Sequence, residues 1–232
     1  MQANSDTWVV VPTFNEVTVV REVLHELQES FANVVAVDDA STDGSAMEIL
    51  ASGAHLVRHP FNMGAGGALQ TGVHFALLDP QARFIVTFDA DGQHRVEDAV
   101  SMVERLRTGE EDILLGSRFL GTATNMRASR RALLRAARVF ERAASGISLT
   151  DAHNGLRAFS RRFAEVLDLS VPDMGWASEF LARIAESGLR CAEVPVTVQY
   201  TDYSMSKGQS SINSVNIGVD VVLDRMLRGQ RR

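Results

Sequence analysis

Short apolar runs alternate with helical patterns along most of this chain. Runs rich in valine, isoleucine and other apolar residues have the length of buried strands, and they cover residues 8–11, 34–37, 55–58, 83–88, 112–116 and 193–199. Between the first five runs, apolar residues recur at helical spacing. Strands that alternate with helices predict an α/β fold, in which helices cover both faces of a mainly parallel sheet.

Length and composition fit a single domain that acts on small molecules or at a surface. The 232 residues, 45% of them apolar, can bury a sizeable core, and the net charge of −6 argues against a general nucleic-acid binder. The single cysteine, Cys191, rules out an internal disulfide and is most simply a small buried residue. The sequence shows no signal-peptide pattern and no apolar stretch of membrane-spanning length. We therefore expect a soluble protein, or one bound only to a membrane surface.

Polar residues follow three of the predicted strands where each strand ends. They are Asp38 and Asp39 after the second strand, Asp89 and Asp91 after the fourth, and Gly116-Ser117-Arg118 after the fifth. The carboxyl ends of parallel strands meet at one edge of a sheet, and ligands of α/β proteins bind at that edge. The sequence therefore predicts a ligand site there.

The segment Asp89-Ala90-Asp91-Gly92-Gln93-His94 is the strongest candidate for a metal site. Side chains alternate along an extended segment, so Asp89, Asp91 and Gln93 would share one side of the chain. Hard cations such as Mg²⁺ bind one or two carboxylates together with substrate phosphates. The alternative is an acidic turn, since aspartate and glycine also favour turns.

The glycine-rich segment of residues 62–69 does not match the known nucleotide fingerprints. Gly64 and Gly66 fit the first two glycines of G-x-G-x-x-G, but Leu69 stands at the third, and the segment follows the third strand instead of the first. The chain also has no P-loop motif. Two interpretations stay open: close packing of a helix on the sheet, or backbone that approaches a nucleotide.

Several motifs occur in the order found in a known enzyme family. They are Pro12-Thr13-Phe14-Asn15-Glu16, Asp38-Asp39-Ala40-Ser41-Thr42-Asp43-Gly44, Asn62-x-Gly64, Asp89-Ala90-Asp91-Gly92-Gln93-His94 and Gly116-Ser117-Arg118. Together they resemble the family 2 glycosyltransferases of the Rossmann-like GT-A fold, and among these the dolichyl- or polyprenyl-phosphate sugar synthases. Residues 151–159 resemble the D-x-x-x-G-x-R-x-F segment of that family, and residues 200–209 resemble the tail of bacterial cell-envelope members.

The resemblance implies roles for residues on the donor side. Residues that would contact the nucleotide are Pro12, Asn15, Glu16, Asp38, Asp39, Asn62, Gly64 and Asp89. One of Asp38 and Asp39 would accept a hydrogen bond from the base, and the other would support structure. Asp91 would be the principal ligand of Mg²⁺ or Mn²⁺, assisted by Asp89 and Gln93. Lys207 would close over the diphosphate.

An arginine-rich segment provides the candidate acceptor side. Six arginines between residues 127 and 142 are interleaved with apolar residues at helical spacing, as in an amphipathic helix at a membrane interface. The alternative is an ordinary surface helix. Because arginine suits phosphate, Arg118, Arg130 and Arg131 are the candidates for the acceptor phosphate. Asp151 would orient the acceptor or assist as a base.

The resemblance implies a catalytic residue set of Asp91, Arg118, Asp151 and Lys207 and an inverting, metal-dependent transfer. The sugar would move from a nucleotide-sugar, UDP-linked by preference and GDP-linked as the alternative, to polyprenyl phosphate. The rival hypotheses are a glycosyltransferase with a soluble or polysaccharide hydroxyl acceptor and a non-catalytic sugar-nucleotide scaffold. We expect a GT-A domain over residues 1–210 and an amphipathic, basic tail over residues 211–232. We also expect a cytoplasmic protein that binds peripherally to the inner face of the cell membrane. It would not bind nucleic acid, and a separate membrane protein is a possible partner.

Overall fold

Seven strands and the helices between them form the part of the chain that this computed structural model describes, residues 4–124, 149–170, 175–201 and 203. The strands are β1 (Thr7–Thr13), β2 (Asn33–Asp38), β3 (His55–Arg58), β4 (Phe84–Thr87), β5 (Ile113–Thr124), β6 (Arg157–Ser160) and β7 (Cys191–Gln199). The helices are α1 (Val20–Ser30), α2 (Ser45–Ser52), α3 (Gly64–Leu77), α4 (Val96–Arg107), α5 (Arg161–Ala164) and α6 (Trp176–Ser187).

The strands form one sheet in the order β3-β2-β1-β4-β6-β5-β7. All neighbouring strands are parallel except β6, which runs antiparallel to both β4 and β5. The predicted mainly parallel sheet is confirmed, and each strand predicted from the sequence is present. The strand β6 was not predicted.

Helices cover both faces of this sheet, as predicted. Val9 and Val11 of β1 pack with α1, α2 and α4 on one face, and Trp8 and Val10 pack with α3, α5 and α6 on the other. Successive strand residues point to opposite faces, so a strand that is buried on both faces reads as a continuous apolar run. The run at residues 8–11 therefore follows from the two-sided core.

Helix α3 lies unusually close to the sheet. A Cβ on Gly72 would lie 2.2 Å from Cγ1 of Val10 and 3.2 Å from Cγ2 of Val37. Gly64, the first residue of α3, has φ +81°, a conformation that glycine adopts at little cost. Close packing on the sheet thus requires glycine at Gly72, which lies beyond the glycine-rich segment of residues 62–69, and a backbone turn favours glycine at Gly64 within it.

Two local predictions were wrong. Asparagine favours helix N-caps, so Asn15 is predicted to cap the helix that follows the first strand. However, α1 begins at Val20, and Asn15 has φ 55° and accepts a hydrogen bond at Oδ1 from the Thr42 N–H at 2.9 Å. The fifth strand does not end near Arg118 but continues to Thr124, because it pairs with β7 across a register irregularity between Ser117 and Thr122.

Other predictions fall outside the described residues. These are the arginine-rich segment with Arg130 and Arg131, the basic residue Lys207 and the tail of residues 211–232. Within the described ranges, no helix combines the length and the apolar character needed to cross a bilayer.

Candidate active site

The candidate site lies where the carboxyl ends of β1, β2 and β4 meet the beginning of β6. Because β6 is antiparallel to β4, its first residue, Arg157, pairs with Thr87, the last residue of β4. Residues 151–156 therefore reach the same edge as the Asp89–His94 segment. The structure brings together motifs that are more than 60 residues apart in sequence.

Asp39 holds the turn that precedes α3. Its Oδ1 accepts hydrogen bonds from His59 Nδ1 at 2.7 Å and from the Met63 N–H at 2.8 Å, and its Oδ2 accepts one from the Gly64 N–H at 2.8 Å. Asn62 completes this turn, since its Oδ1 accepts a second hydrogen bond from the Gly64 N–H at 3.1 Å. Asp39 therefore has a structural role, and Gly64 and Asn62 are positioned by it.

Asp38 is fully buried, and its contacts leave one oxygen less occupied. Oδ1 accepts a hydrogen bond from the Ser41 N–H at 3.2 Å, whereas Oδ2 accepts none from the described residues and faces Arg58 Nε in an ion pair at 3.1 Å. Of the two predicted acidic residues, Asp38 is thus the one with acceptor capacity left for a nucleotide base.

The first-strand motif is joined to the second-strand motif through main-chain hydrogen bonds. The Asn15 N–H donates to Ser41 Oγ at 2.9 Å and the Glu16 N–H donates to Ser45 Oγ at 2.8 Å. The carboxylate of Glu16 accepts a hydrogen bond from the Tyr203 hydroxyl at 2.7 Å. Pro12, in β1, is partly exposed at this edge. The predicted nucleoside contacts therefore share one side of the site.

Asp91 is held by Gln93. The Gln93 N–H donates to Asp91 Oδ1 at 3.1 Å, and Gln93 Nε2 donates to Oδ2. The amide nitrogen of Gln93, not its oxygen, thus faces the carboxylate; a half-turn of the amide exchanges the two atoms. The carbonyl of Gln93 accepts from the Gln199 N–H at 2.9 Å, which pins this loop to the end of β7.

Asp89 and Asp91 differ in their electrostatic surroundings. Burial, and after it the negative charge of Asp89, raises the pKa of Asp91 to about 6. Burial also opposes ionisation of Asp89, but the hydrogen bond from His94 and the charges of His94, Arg157 and Arg118 outweigh it and lower the pKa of Asp89. The Asp89 side chain keeps 46% of its surface exposed.

This donor set fits a divalent cation. Asp89 and Asp91 are neighbouring carboxylates, and the negative charge of Asp89 contributes to the raised pKa of Asp91. A metal ion bound between them would compensate both charges. In the described ranges no group of three His, Cys, Asp or Glu residues has the arrangement of a metal cage. Two carboxylates suffice for Mg²⁺, which takes its remaining ligands from water and substrate phosphates.

Arg118, which is predicted to bind the acceptor phosphate, is surrounded by hydrogen-bond acceptors of the protein itself. Arg118 is buried; its Nε donates to Asp151 Oδ2 at 2.6 Å, its Nη1 to the Tyr200 hydroxyl at 2.6 Å and its Nη2 to the His153 carbonyl at 3.2 Å. These contacts make Arg118 a partner of Asp151. Its predicted contact with an acceptor phosphate stays a prediction.

Asp151 is fixed from two sides. Besides Arg118, its main-chain N–H donates to Glu193 Oε1 at 2.9 Å, and Glu193 also accepts from the Thr150 N–H. The second carboxylate oxygen of Asp151, Oδ1, is buried and accepts no hydrogen bond from the described residues.

Sequence reasoning missed several residues of the site. His94 is buried, packs edge-on against Phe88 and donates through Nε2 to Asp89 at 3.0 Å. No local sequence pattern marks Glu193, Tyr200 or Tyr203 as a site residue. Their hydrogen-bond partners, Asp151, Arg118 and Glu16, lie far away in sequence. Cys191, expected to be a small buried residue, is partly buried beside the core, and this burial raises the pKa of its thiol to about 12.

A comparison with known families assigns this chain. The family model described as "Glycosyl transferase family 2" matches residues 8–167, which include the acidic motif and the beginning of β6. The chain belongs to glycosyl transferase family 2. It is thus an enzyme that transfers sugars.

Two curated relatives of this glycosyltransferase extend over most of the chain. An uncharacterized protein of Methanocaldococcus jannaschii, MJ1222, is 35% identical over 95% of the chain and 93% of its own length. The UDP-N-acetylglucosamine–dolichyl-phosphate N-acetylglucosaminyltransferase of Methanococcus voltae is 29% identical over 87% of the chain and 88% of its own length.

A solved structure supports the fold. Glucosyl-3-phosphoglycerate synthase from Mycobacterium tuberculosis, in complex with Mn²⁺, UDP and glucosyl-3-phosphoglycerate, superposes with a TM-score of 0.70. It is 19% identical, and the match covers 95% of this chain and 80% of that one. The similarity shows that the glycosyltransferase has the GT-A fold.

Proposed function

We propose that this glycosyltransferase moves a sugar from a nucleotide-sugar, UDP-linked by preference, to the phosphate of a polyprenyl lipid. The observation that carries the proposal is similarity over almost the whole chain to a transferase whose name gives dolichyl phosphate as acceptor. The geometry of Asp151 supports the same acceptor. A hydroxyl acceptor needs a base within reach of its proton, whereas Asp151 Oδ2 already accepts a hydrogen bond from Arg118 Nε at 2.6 Å and Oδ1 is buried.

The donor side would position the nucleotide-sugar through residues of three strand ends. Asp38 would accept a hydrogen bond from the base, and Glu16 would bind the ribose once the Tyr203 hydroxyl yields its place. Asp91 and Asp89, with Gln93 after rotation of its amide, would hold Mg²⁺ or Mn²⁺. The cation would neutralise charge that develops on the departing diphosphate.

The transfer itself would be a single displacement with inversion. An oxygen of the lipid phosphate would form a bond to the anomeric carbon while the bond from that carbon to the nucleoside diphosphate breaks. A phosphate monoester is anionic near neutral pH, so no proton has to be removed by the protein. Positioning and electrostatic stabilisation would supply the rate enhancement.

A transfer assay tests this proposal. The purified protein is incubated with UDP- and GDP-sugars, polyprenyl phosphate or 3-phosphoglycerate, and Mg²⁺ or Mn²⁺, and labelled lipid product is measured. We expect lipid product with a UDP-sugar and a loss of at least about 100-fold in Asp91→Asn, in line with the weight of electrostatic stabilisation in catalysis. Asp168→Asn, at an exposed carboxylate beyond α5, is the matched control and should keep full activity.

Two results would contradict parts of the proposal. Product with 3-phosphoglycerate and none with polyprenyl phosphate would replace the lipid acceptor by a soluble one. Full activity of Asp91→Asn in the presence of metal would overturn the assignment of Asp91 to the cation.

A further inference from the structure

Gly155 lies directly against the carboxylate of Asp89. A Cβ on Gly155 would lie 2.1 Å from Oδ2 and 2.3 Å from Oδ1 of Asp89, whereas Cβ atoms essentially never come closer than 3.0 Å to such neighbours. The carboxylate therefore occupies the space that any side chain at position 155 would take. In contrast to Gly64 and Gly92, Gly155 does not have a positive φ. The need for glycine here is one of space, not of backbone conformation.

The main chain of Gly155 is also held by a residue of β4. The hydroxyl of Thr87, the last residue of β4, donates to the Gly155 carbonyl at 2.6 Å. Two residues further on, Arg157 enters β6 and pairs with the same Thr87. Thr87 and Arg157 both belong to the sheet, and they hold the main chain of Gly155 in place beside Asp89.

On its other side, the Asp89 carboxylate is held by His94. Nε2 of the buried His94 donates to Asp89 Oδ2 at 3.0 Å, and the ring packs edge-on against Phe88. The carboxylate thus lies between a hydrogen-bond donor and a bare stretch of main chain. An added methyl group at 155 would force it to rotate and lose the hydrogen bond from His94.

We propose that Gly155 is a positioning residue of the transfer reaction, because its missing side chain lets the Asp89 carboxylate lie against the main chain in the orientation that the divalent cation requires. Gly155 would act on the cation through Asp89 and not by direct contact. This inference rests on the proposed function, in which Asp89 and Asp91 hold that cation. Residues that orient metal ligands typically change metal affinity by about 10- to 100-fold when replaced.

The test measures Mn²⁺ binding in the presence of saturating UDP by isothermal titration calorimetry, together with the Tm of each variant. We expect Gly155→Ala to bind Mn²⁺ about 10- to 100-fold more weakly, with a Tm close to that of the wild type, since the displaced atoms end a rotatable side chain. Gly72→Ala is the matched control: its Cβ would meet Val10 in the core. It should lower the Tm and leave the Mn²⁺ affinity of the folded protein unchanged.

Three outcomes decide the inference. Wild-type affinity in Gly155→Ala would overturn it. If Gly155→Ala unfolds, the double variant with Asp89→Ala should recover the stability of Asp89→Ala alone, and failure to recover it would show that the methyl group collides elsewhere. Absence of Mn²⁺ binding in the wild type, or unchanged binding in Asp91→Asn, would instead overturn the proposed metal dependence on which the inference rests.

Discussion

Asp89 and Asp91 lie one residue apart, yet their surroundings shift their pKa values in opposite directions. His94, Arg157 and Arg118 favour the ionised form of Asp89, whereas Asp91 is left with burial and the negative charge of its neighbour. The pair thus carries one stable negative charge and one that a cation must stabilise. That division suits a site that receives a metal together with a diphosphate.

The raised pKa of Asp91 predicts how the stability of the metal-free protein depends on pH. Asp91 keeps a proton up to about pH 6 in the folded state and up to about pH 3.8 in the unfolded chain. Its contribution is therefore fully present below pH 3.8 and is lost as pH rises through about 6. The loss amounts to at most about 3 kcal/mol in the free energy of unfolding.

Urea unfolding in EDTA at several pH values between 4 and 7 measures this contribution. Asp91→Asn should lack this part of the pH dependence, because asparagine does not titrate. A variant whose stability falls with pH as steeply as that of the wild type would show that the proton resides on another group.

Local sequence patterns predict single residues of the site only where chemistry and spacing coincide. Asp89 and Asp91 stand out because two carboxylates follow a buried strand at alternate positions. His94 is a neighbour in sequence, but its burial against Phe88 depends on how the loop returns to β7. Gly155 is ordinary in sequence, and only the approach of β6 to β4 reveals its contact with Asp89.

At the level of helices and strands, apolar periodicity predicts most of the fold but not β6. The strands β1 to β4 and β7 are runs of apolar and β-branched residues that match their predicted positions closely, and β5 begins as predicted but continues to Thr124. By contrast, β6 is the four-residue segment Arg-Ala-Phe-Ser, which has no β-branched residue and begins with a charge. Pairing on both sides, with β4 and β5, makes it a strand.

The packing of α3 on the sheet depends on Gly72. We expect Gly72→Ala to lower the free energy of unfolding by about 1–3 kcal/mol, because the added methyl group would overlap Val10 in a close-packed core. Urea denaturation followed by circular dichroism measures the change. Gly109→Ala, at a glycine with φ +77° and no heavy atom within 4 Å, provides a control in which only backbone strain is added. A loss no larger than in that control would contradict the packing argument.

The segment that follows β7 is linked to the nucleotide side through Tyr203. Its hydroxyl donates a hydrogen bond to the carboxylate of Glu16, which is also the proposed contact of the ribose. Tyr203→Phe should therefore bind UDP more tightly, by up to about 10-fold, since a hydrogen bond to a charged group is worth about 1.5 kcal/mol or more. Calorimetric titration with UDP and Mn²⁺ measures the change.

Tyr200→Phe is the matched control for this prediction. The Tyr200 hydroxyl accepts a hydrogen bond from Arg118 Nη1 at 2.6 Å, whereas the Tyr203 hydroxyl donates to Glu16. We expect its UDP affinity to equal that of the wild type. Equal affinities in all three proteins would mean that Tyr203 does not compete with the nucleotide.

Over the whole molecule, charge is unevenly distributed along the sequence. The net charge is −6, yet residues 127–142 contain six arginines and one glutamate. We propose that this segment brings the enzyme to the inner face of the cell membrane, with residues 1–210 as the catalytic domain and 211–232 as a basic tail. A membrane protein that holds the lipid would be a compatible partner.

Sedimentation with lipid vesicles tests the membrane proposal. The protein should bind vesicles that contain phosphatidylglycerol at about 50 mM salt and be released at about 0.5 M, because screening shortens the reach of surface charges. Arg130→Gln with Arg131→Gln should weaken binding about 30-fold, at about 1 kcal/mol per basic residue. Neutral phosphatidylcholine vesicles are the control, and no sedimentation with anionic vesicles at low salt would contradict the proposal.

The antiparallel course of β6 has a consequence for how such an enzyme can diversify. Because β6 is antiparallel to β5, β5 ends and β6 begins at the same edge of the sheet, so residues 125–156 are joined to fixed points at both ends. Each doubling in the length of such a connection costs only about 0.6 kcal/mol in closure entropy. The length of the connection can therefore differ between relatives at little cost, whereas residues 151–156 hold Asp151 against Arg118 and Gly155 against Asp89. We expect a chimera that carries residues 125–148 of another family member to keep its own sugar donor.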